Sequence, residues 1–207
     1  MRITYALAAA IGASLFFRLG FDVTHSGEPA AFLSLEHTLL GKSALIAWWL
    51  TWSCYMDVLI PVALALIVVA WRAPAWRGRI AFSIAMLLLC WQGADLAQHY
   101  FMRPRRLDWI VKHETAFSYP SSHAAVAFGF YALWGVMIAA SELPRRTRVV
   151  AAVCLLAFAV AICWARLALG AHYLTDLIGG GLLAVTLVCA GVALVPVKVF
   201  APAAART

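Results

Sequence analysis

Six apolar stretches divide this chain, each near the length that hydrocarbon demands. A helix crossing a bilayer needs about 20 mostly apolar residues, and its backbone must satisfy its own polar groups there. The stretches are Ile3 to about Gly20, a second within Ser43–Trp71, then Ile80–Met102, His123–Ala140, Val149–Ala165 and Leu177–Val197. Asp57 interrupts the second, and its early part, with Trp48, Trp49 and Trp52, suits the membrane interface. Hydrophobic residues make up 65% of the 207 residues and charged ones 12%, against roughly 45–50% and about 25% in soluble domains. A soluble monomer of this length has no interior large enough to hide that surface. A cytosolic globular enzyme, a disordered chain and a disulfide-stapled secreted domain are therefore excluded. The sequence predicts an all-α polytopic membrane helical bundle of six transmembrane helices, forming one domain over residues 1–207.

Met1-Arg2 and the apolar run after it read as a retained first span. No clear small-x-small cleavage site precedes Arg18, although a cleaved signal is the alternative. Cys54, Cys90, Cys154, Cys163 and Cys189 all lie in apolar runs without CxxC spacing, so they read as packing residues. The net charge of +7 does not call for nucleic acid. With six spans and a cytoplasmic N-terminus, one side holds Arg2, Arg72, Arg77, Arg79, Arg145, Arg146, Arg148, Lys198 and Arg206 against Glu142 alone. The other side holds seven basic residues and eight acids. Basic loops stay cytoplasmic, so the acid-rich side is read as extracytoplasmic.

Polar residues gather on that outer side in three clusters: Arg103-Pro104-Arg105-Arg106, Tyr119-Pro120-Ser121-Ser122-His123, and the segment from Arg166 through His172 to Asp176. His172 and Asp176 are four apart, which on a helix puts them on one face. A carboxylate there accepts the imidazole Nδ1–H, fixes the tautomer and leaves Nε2 as nucleophile or base. Arg166, across Gly170, carries a guanidinium suited to bidentate phosphate binding. Pro120 favours a helix start, where Ser121 and Ser122 offer hydroxyls and N–H groups to an anion. His123 sits in that first turn, placed to deliver a proton. The three clusters together make an anion pocket at the rim of a bilayer.

R-P, then P-S-x-H, then R-x5-H-x3-D, in that order on a six-span chain, resembles the type 2 phosphatidic acid phosphatase (PAP2) superfamily. The resemblance covers residues 103–176 and the span layout, and the Leu177-Ile178-Gly179-Gly180 that follows is similar too. It implies His172 as a nucleophile forming a phosphohistidine, oriented by Asp176. It implies His123 as proton donor to the leaving oxygen. Arg103, Arg166, Ser121 and Ser122 would hold the phosphoryl oxygens. No metal or other cofactor is implied. The expected substrate is a lipid phosphate monoester or diphosphate reached from the bilayer. Undecaprenyl diphosphate is the first choice; phosphatidic acid, phosphatidylglycerol phosphate and lipid A phosphate also fit. With the loop charges placing the site outside and the compactness of the chain suggesting a bacterial source, the expected location is a bacterial inner membrane with the site on the periplasmic face. A lipid phosphotransferase using the same phosphohistidine, or a non-catalytic lipid-phosphate binding or transport protein, are the alternatives.

Two positions depart from the pattern. The family's Lys, seven residues before the Arg of R-P, is Leu96 here, and P-S-G-H is P-S-S-H. Arg105, Arg106 or Lys112 is expected to supply the missing cation. Asp95, His99 and Arg103 follow at i, i+4 and i+8 on one face of the third span, so Asp95 and His99 are possible supporting residues, and an acid inside a span is a functional candidate in its own right.

Overall fold

In hydrocarbon a chain packs its small residues against each other and turns its large apolar ones outward. The computed structural model, which describes residues 2–107, 110 and 116–195, shows part of this inversion, with many alanines buried and many Leu, Ile and Val side chains exposed, around a core that still holds large residues. Among the described residues there are nine α-helices and no strand: α1 (Arg2–Ser26), α2 (Ala30–Leu39), α3 (Ala44–Trp52), α4 (Met56–Arg72), α5 (Arg77–Phe101), α6 (Ser122–Val126), α7 (Leu133–Ala139), α8 (Arg145–Ala168) and α9 (Leu174–Leu194). A π-helical turn, Ala127–Ala132, joins α6 and α7 into one rod. Five helical segments are long and apolar enough to cross a membrane. The pair α3 and α4, bent by 45° at its break, makes a sixth.

The bend falls at Ser53-Cys54-Tyr55, where the Tyr131 hydroxyl donates to the Ser53 carbonyl at 2.7 Å. Proline marks other boundaries, with Pro29 before α2 and Pro144 before α8. The short helix α2 is an element that the apolar pattern did not show. It is too short to span, and it lies between the first and second spans with Glu36 as its buried residue.

Helix α1 packs along α9. Gly12 lets them approach, since a Cβ there would sit 2.6 Å from the Thr186 hydroxyl. Phe16, Val23, Phe101, Tyr119, Leu183 and Ala184 pack together at this seam, and the Tyr119 hydroxyl donates to the Phe16 carbonyl at 2.7 Å. A second core gathers Leu59, Leu87, Val126, Phe130 and Ile162 from four spans. By connectivity Arg72, Arg77, Arg79, Arg145, Arg146 and Arg148 share one end of the bundle. The other end holds the C-termini of α1, α5 and α8, the N-termini of α6 and α9, and all of α2.

At that second end, α9 runs directly against the turn that starts α6. A Cβ on Gly180 would run into the Ser121 carbonyl oxygen, whereas one on Gly181 would meet only the Phe128 ring at 3.5 Å. Gly180→Ala is expected to cost about 1–3 kcal/mol by overpacking. The measurement is thermal unfolding in detergent, with Gly181→Ala as the control that stays close to wild type. Equal melting temperatures for both variants would contradict the close crossing.

Candidate active site

The site is built where α8 ends and α9 begins. Helix α8 stops at Ala168, Gly170 turns the chain with φ of +69°, and α9 resumes at Leu174. His172 lies in this turn and not on the helix, so it does not share a helical face with Asp176 as the four-residue spacing predicts. The pair still meets. Asp176 occupies the third helical position and reaches back, as a helix-capping carboxylate does, to accept the Tyr173 N–H at 2.9 Å. The same oxygen, Oδ2, lies 3.4 Å from His172 Nδ1 and accepts the Ser118 hydroxyl at 2.5 Å. His172 and Asp176 are both fully buried.

Arg105 completes the other side of the ring. Its Nη1 is 3.3 Å from His172 Nε2 and donates to the Ala171 carbonyl at 3.1 Å, while its Nε donates to Ala116 O at 2.6 Å. A guanidinium only donates, so Nε2 faces it as the acceptor and Nδ1 carries the proton toward Asp176. Arg166 is fully buried in the last turn of α8. Ser121 caps α6: its Oγ accepts the Ala124 N–H at 3.4 Å, and its own N–H donates to the Asp176 carbonyl at 3.0 Å. That bond ties the two motif-bearing helix starts together. His123, one residue into α6, is within electrostatic reach of Arg166, His172 and Arg105. Its Nε2 is buried with no hydrogen-bond partner among the described residues. Ser122 beside it is half-buried.

The basic cluster divides by side. Arg103 was expected on the phosphoryl oxygens, but its contacts are with carboxylates. Nη1 donates to Asp176 Oδ1 at 2.6 Å and Thr175 Oγ1 at 2.8 Å, and Nη2 to Glu28 Oε2 at 2.9 Å. Its guanidinium also stacks over the Tyr173 ring at 4.3 Å. Arg106 donates to Glu36, not to the pocket around His172. Lys112 lies outside the described residues. Asp95 and His99 are not brought to the site: they pair with each other at 3.9 Å and stay exposed. The reason is that α5 ends at Phe101 and Met102 turns left-handed with φ of +51°, which swings Arg103 inward and leaves the preceding face outside. Leu96, on that same face, is 70% exposed. A cation there would point away from His172.

Glu28 and Glu36 are site-supporting residues that the motif reading missed. Glu28 accepts from Arg103, the Thr175 hydroxyl and the Thr175 N–H. Glu36 accepts from Arg106 and, at 2.6 Å, from the Leu174 N–H. Two carboxylates thus sit on the N-terminal turn of α9, where the helix dipole favours them. The signal was there to find, since these are the only acids between Asp22 and Asp57. An acid at a bilayer's edge that becomes buried has to find donors.

Burial, with the Glu28 carboxylate beside it, pushes the Glu36 carboxyl up to about 7 from an ordinary 4.5. The folded chain therefore holds a proton that the unfolded chain gives up earlier. The stability linked to that proton is present below about pH 4.5 and is lost as pH rises through about 7. Glu36→Gln, which stays neutral, is expected to flatten this part of the stability–pH curve. Melting temperatures in detergent between pH 4.5 and 8 check it, and parallel curves for the two proteins would refute it. Glu28→Gln removes one carboxylate from a buried Arg103 and is expected to cost about 3–5 kcal/mol, read as a lower melting temperature.

The family model of the PAP2 superfamily matches residues 6–200. Among solved structures the chain is similar to a transmembrane PAP2-type phosphatidylglycerolphosphate phosphatase from Bacillus subtilis, at 18% identity, with a TM-score of 0.70 over 89% of this chain and 93% of that one. Among curated proteins none matches. With apolar helices that fit a bilayer and a family match over nearly its whole length, this integral membrane protein belongs to the PAP2 superfamily.

Proposed function

We propose that this protein is a membrane lipid phosphatase that works through a phosphohistidine on His172. The observation that carries the reading is the polarised ring: Nδ1 faces the Asp176 carboxylate and Nε2 faces Arg105. In the first step His172 Nε2 attacks phosphorus, and the bond from phosphorus to the leaving oxygen breaks. The electron pair stays on that oxygen, and protonated His123 gives it a proton. In the second step water attacks the phosphohistidine, His123 takes the water's proton, and the N–P bond breaks to release phosphate and restore Nε2. Arg105 and Arg166 hold the non-bridging oxygens as negative charge builds on them. Arg105 thus takes the part expected of Arg103 and of the missing Lys. Arg103 acts through Asp176.

The substrate is a lipid carrying a terminal phosphate, in keeping with a site at the rim of an apolar bundle. The solved PAP2 relative is itself named for a lipid phosphate. The arginine-rich end lies opposite the site. The positive-inside rule therefore supports an extracytoplasmic site, on the periplasmic face of a bacterial inner membrane.

Purified protein in EDTA is expected to release phosphate from dioleoyl phosphatidic acid, and His172→Ala is expected to abolish release. Wild-type silence on every lipid phosphate tried would sink the reading. Arg105→Ala is expected to raise the vanadate inhibition constant about tenfold or more, the size of a lost hydrogen bond to a charged group. An unchanged constant would take Arg105 out of the phosphoryl pocket. His123→Ala is expected to slow alkyl phosphates by about 10²–10⁴ and aryl phosphates with good leaving groups much less, whereas equal slowing would argue against proton donation.

A further inference from the structure

One cavity of about 370 Å³ opens beside His123, at the break between α3 and α4. Tyr55, Met56 and Asp57 line it from the break, Trp91 from α5, and Ser122 and His123 from α6. It differs in charge from the phosphoryl pocket. No Lys or Arg lines it among the described residues, and its one carboxylate is Asp57. Arg105, Arg166 and His172 are not among its walls. The fixed charge that an anion would meet in this lining is the Asp57 carboxylate.

Two further features tie the cavity to the reaction. His123 is 6% exposed, and its Nε2 has no partner among the described residues, so the cavity wall carries a buried imidazole nitrogen awaiting one. The Tyr55 ring meets the His123 ring edge-on at 5.2 Å and holds it against the break. Trp91 and Met56 add apolar surface to the wall. The lining therefore combines an imidazole, a carboxylate and apolar surface.

We infer that this cavity is the leaving-group subsite, and that the Asp57 carboxylate disfavours a leaving group that itself carries phosphate. The inference rests on the phosphatase reading, in which His123 protonates the leaving oxygen. A phosphate monoester leaves a neutral alcohol, whose hydroxyl takes its proton from His123 and whose chain passes along Met56 and Trp91. A polyprenyl diphosphate leaves a polyprenyl phosphate, and that phosphate falls in the cavity with Asp57. Selectivity then comes from repulsion of the wrong leaving group more than from attraction of the right one. This puts lipid monoesters ahead of undecaprenyl diphosphate as the substrate class.

Farnesyl phosphate and farnesyl diphosphate share one tail and differ by one phosphate, so they are the matched probes. Phosphate release from each is measured in detergent for the wild type and for Asp57→Asn, with Asp57→Ser as the second variant if the first does not fold. Asp57→Asn is expected to raise kcat/KM for the diphosphate about tenfold relative to the monoester, the scale of one like-charge contact near a protein surface. A ratio unchanged in a folded variant, or shifted toward the monoester, would overturn the inference while leaving the phosphatase standing. A wild type inactive on both probes and on phosphatidic acid would remove the phosphatase reading and this one with it.

Discussion

A single buried carboxylate organises the reactive end of this bundle. Asp176 accepts from Arg103 on one oxygen, and from Ser118, the Tyr173 N–H and His172 on the other. Leaving such a group without donors in a low-dielectric interior costs several kcal/mol. The fold therefore has to deliver donors from three separate places: the end of α5, the segment before α6, and its own helix start. Satisfying Asp176 and assembling the site are one and the same requirement. The imidazole meets the carboxylate through Nδ1 and Arg105 through Nε2, so the carboxylate's demand helps fix the orientation of the His172 ring.

The charge does not stop at Asp176. Arg103 passes it to Glu28, while Arg106 and Glu36 form a parallel pair, and both arginines lie over the face of Tyr173. Glu28 and Glu36 also receive the N–H groups of Thr175 and Leu174. Helix α2 is thereby fastened to the start of α9, and the arginine that braces Asp176 is itself braced. This explains why a ten-residue helix that buries a single acid belongs to the structure at all.

Much of this was legible beforehand. The apolar runs gave the spans, because hydrocarbon imposes a length. P-S-S-H and R-x5-H-x3-D placed Ser121, His123, Arg166, His172 and Asp176 at one end, and the structure brings them together. Helix α2 was not legible, since a short segment with mixed polarity carries no span signal and its purpose depends on partners about 70 to 150 residues away. The turn at His172 was also hidden. The i, i+4 spacing reads as one helical face, but Gly170 ends the preceding helix and Asp176 reaches His172 as a capping residue instead.

The register of the basic cluster shows most clearly where spacing misleads. Beyond Met102 the chain is no longer helical, so helical counting no longer sets which way each arginine points. Arg103 turns to the carboxylates, and Arg105, two residues on, reaches His172 by a longer course around the Ala171 carbonyl. Counting back seven from Arg103 reaches Leu96, which faces outward and can do nothing for a phosphate. Counting back seven from Arg105 reaches Gln98 instead. Gln98 is buried, and its side-chain amide donates to the Pro120 carbonyl at 2.9 Å, directly beneath the Ser121 turn. A neutral amide at that place steadies the turn through a hydrogen bond and brings no charge. In the proposed mechanism the cationic work then falls on Arg105 and Arg166, and because Arg105 lies beside His172 while Leu96 faces outward, substituting Arg105 tests the assignment more sharply than restoring a lysine at position 96.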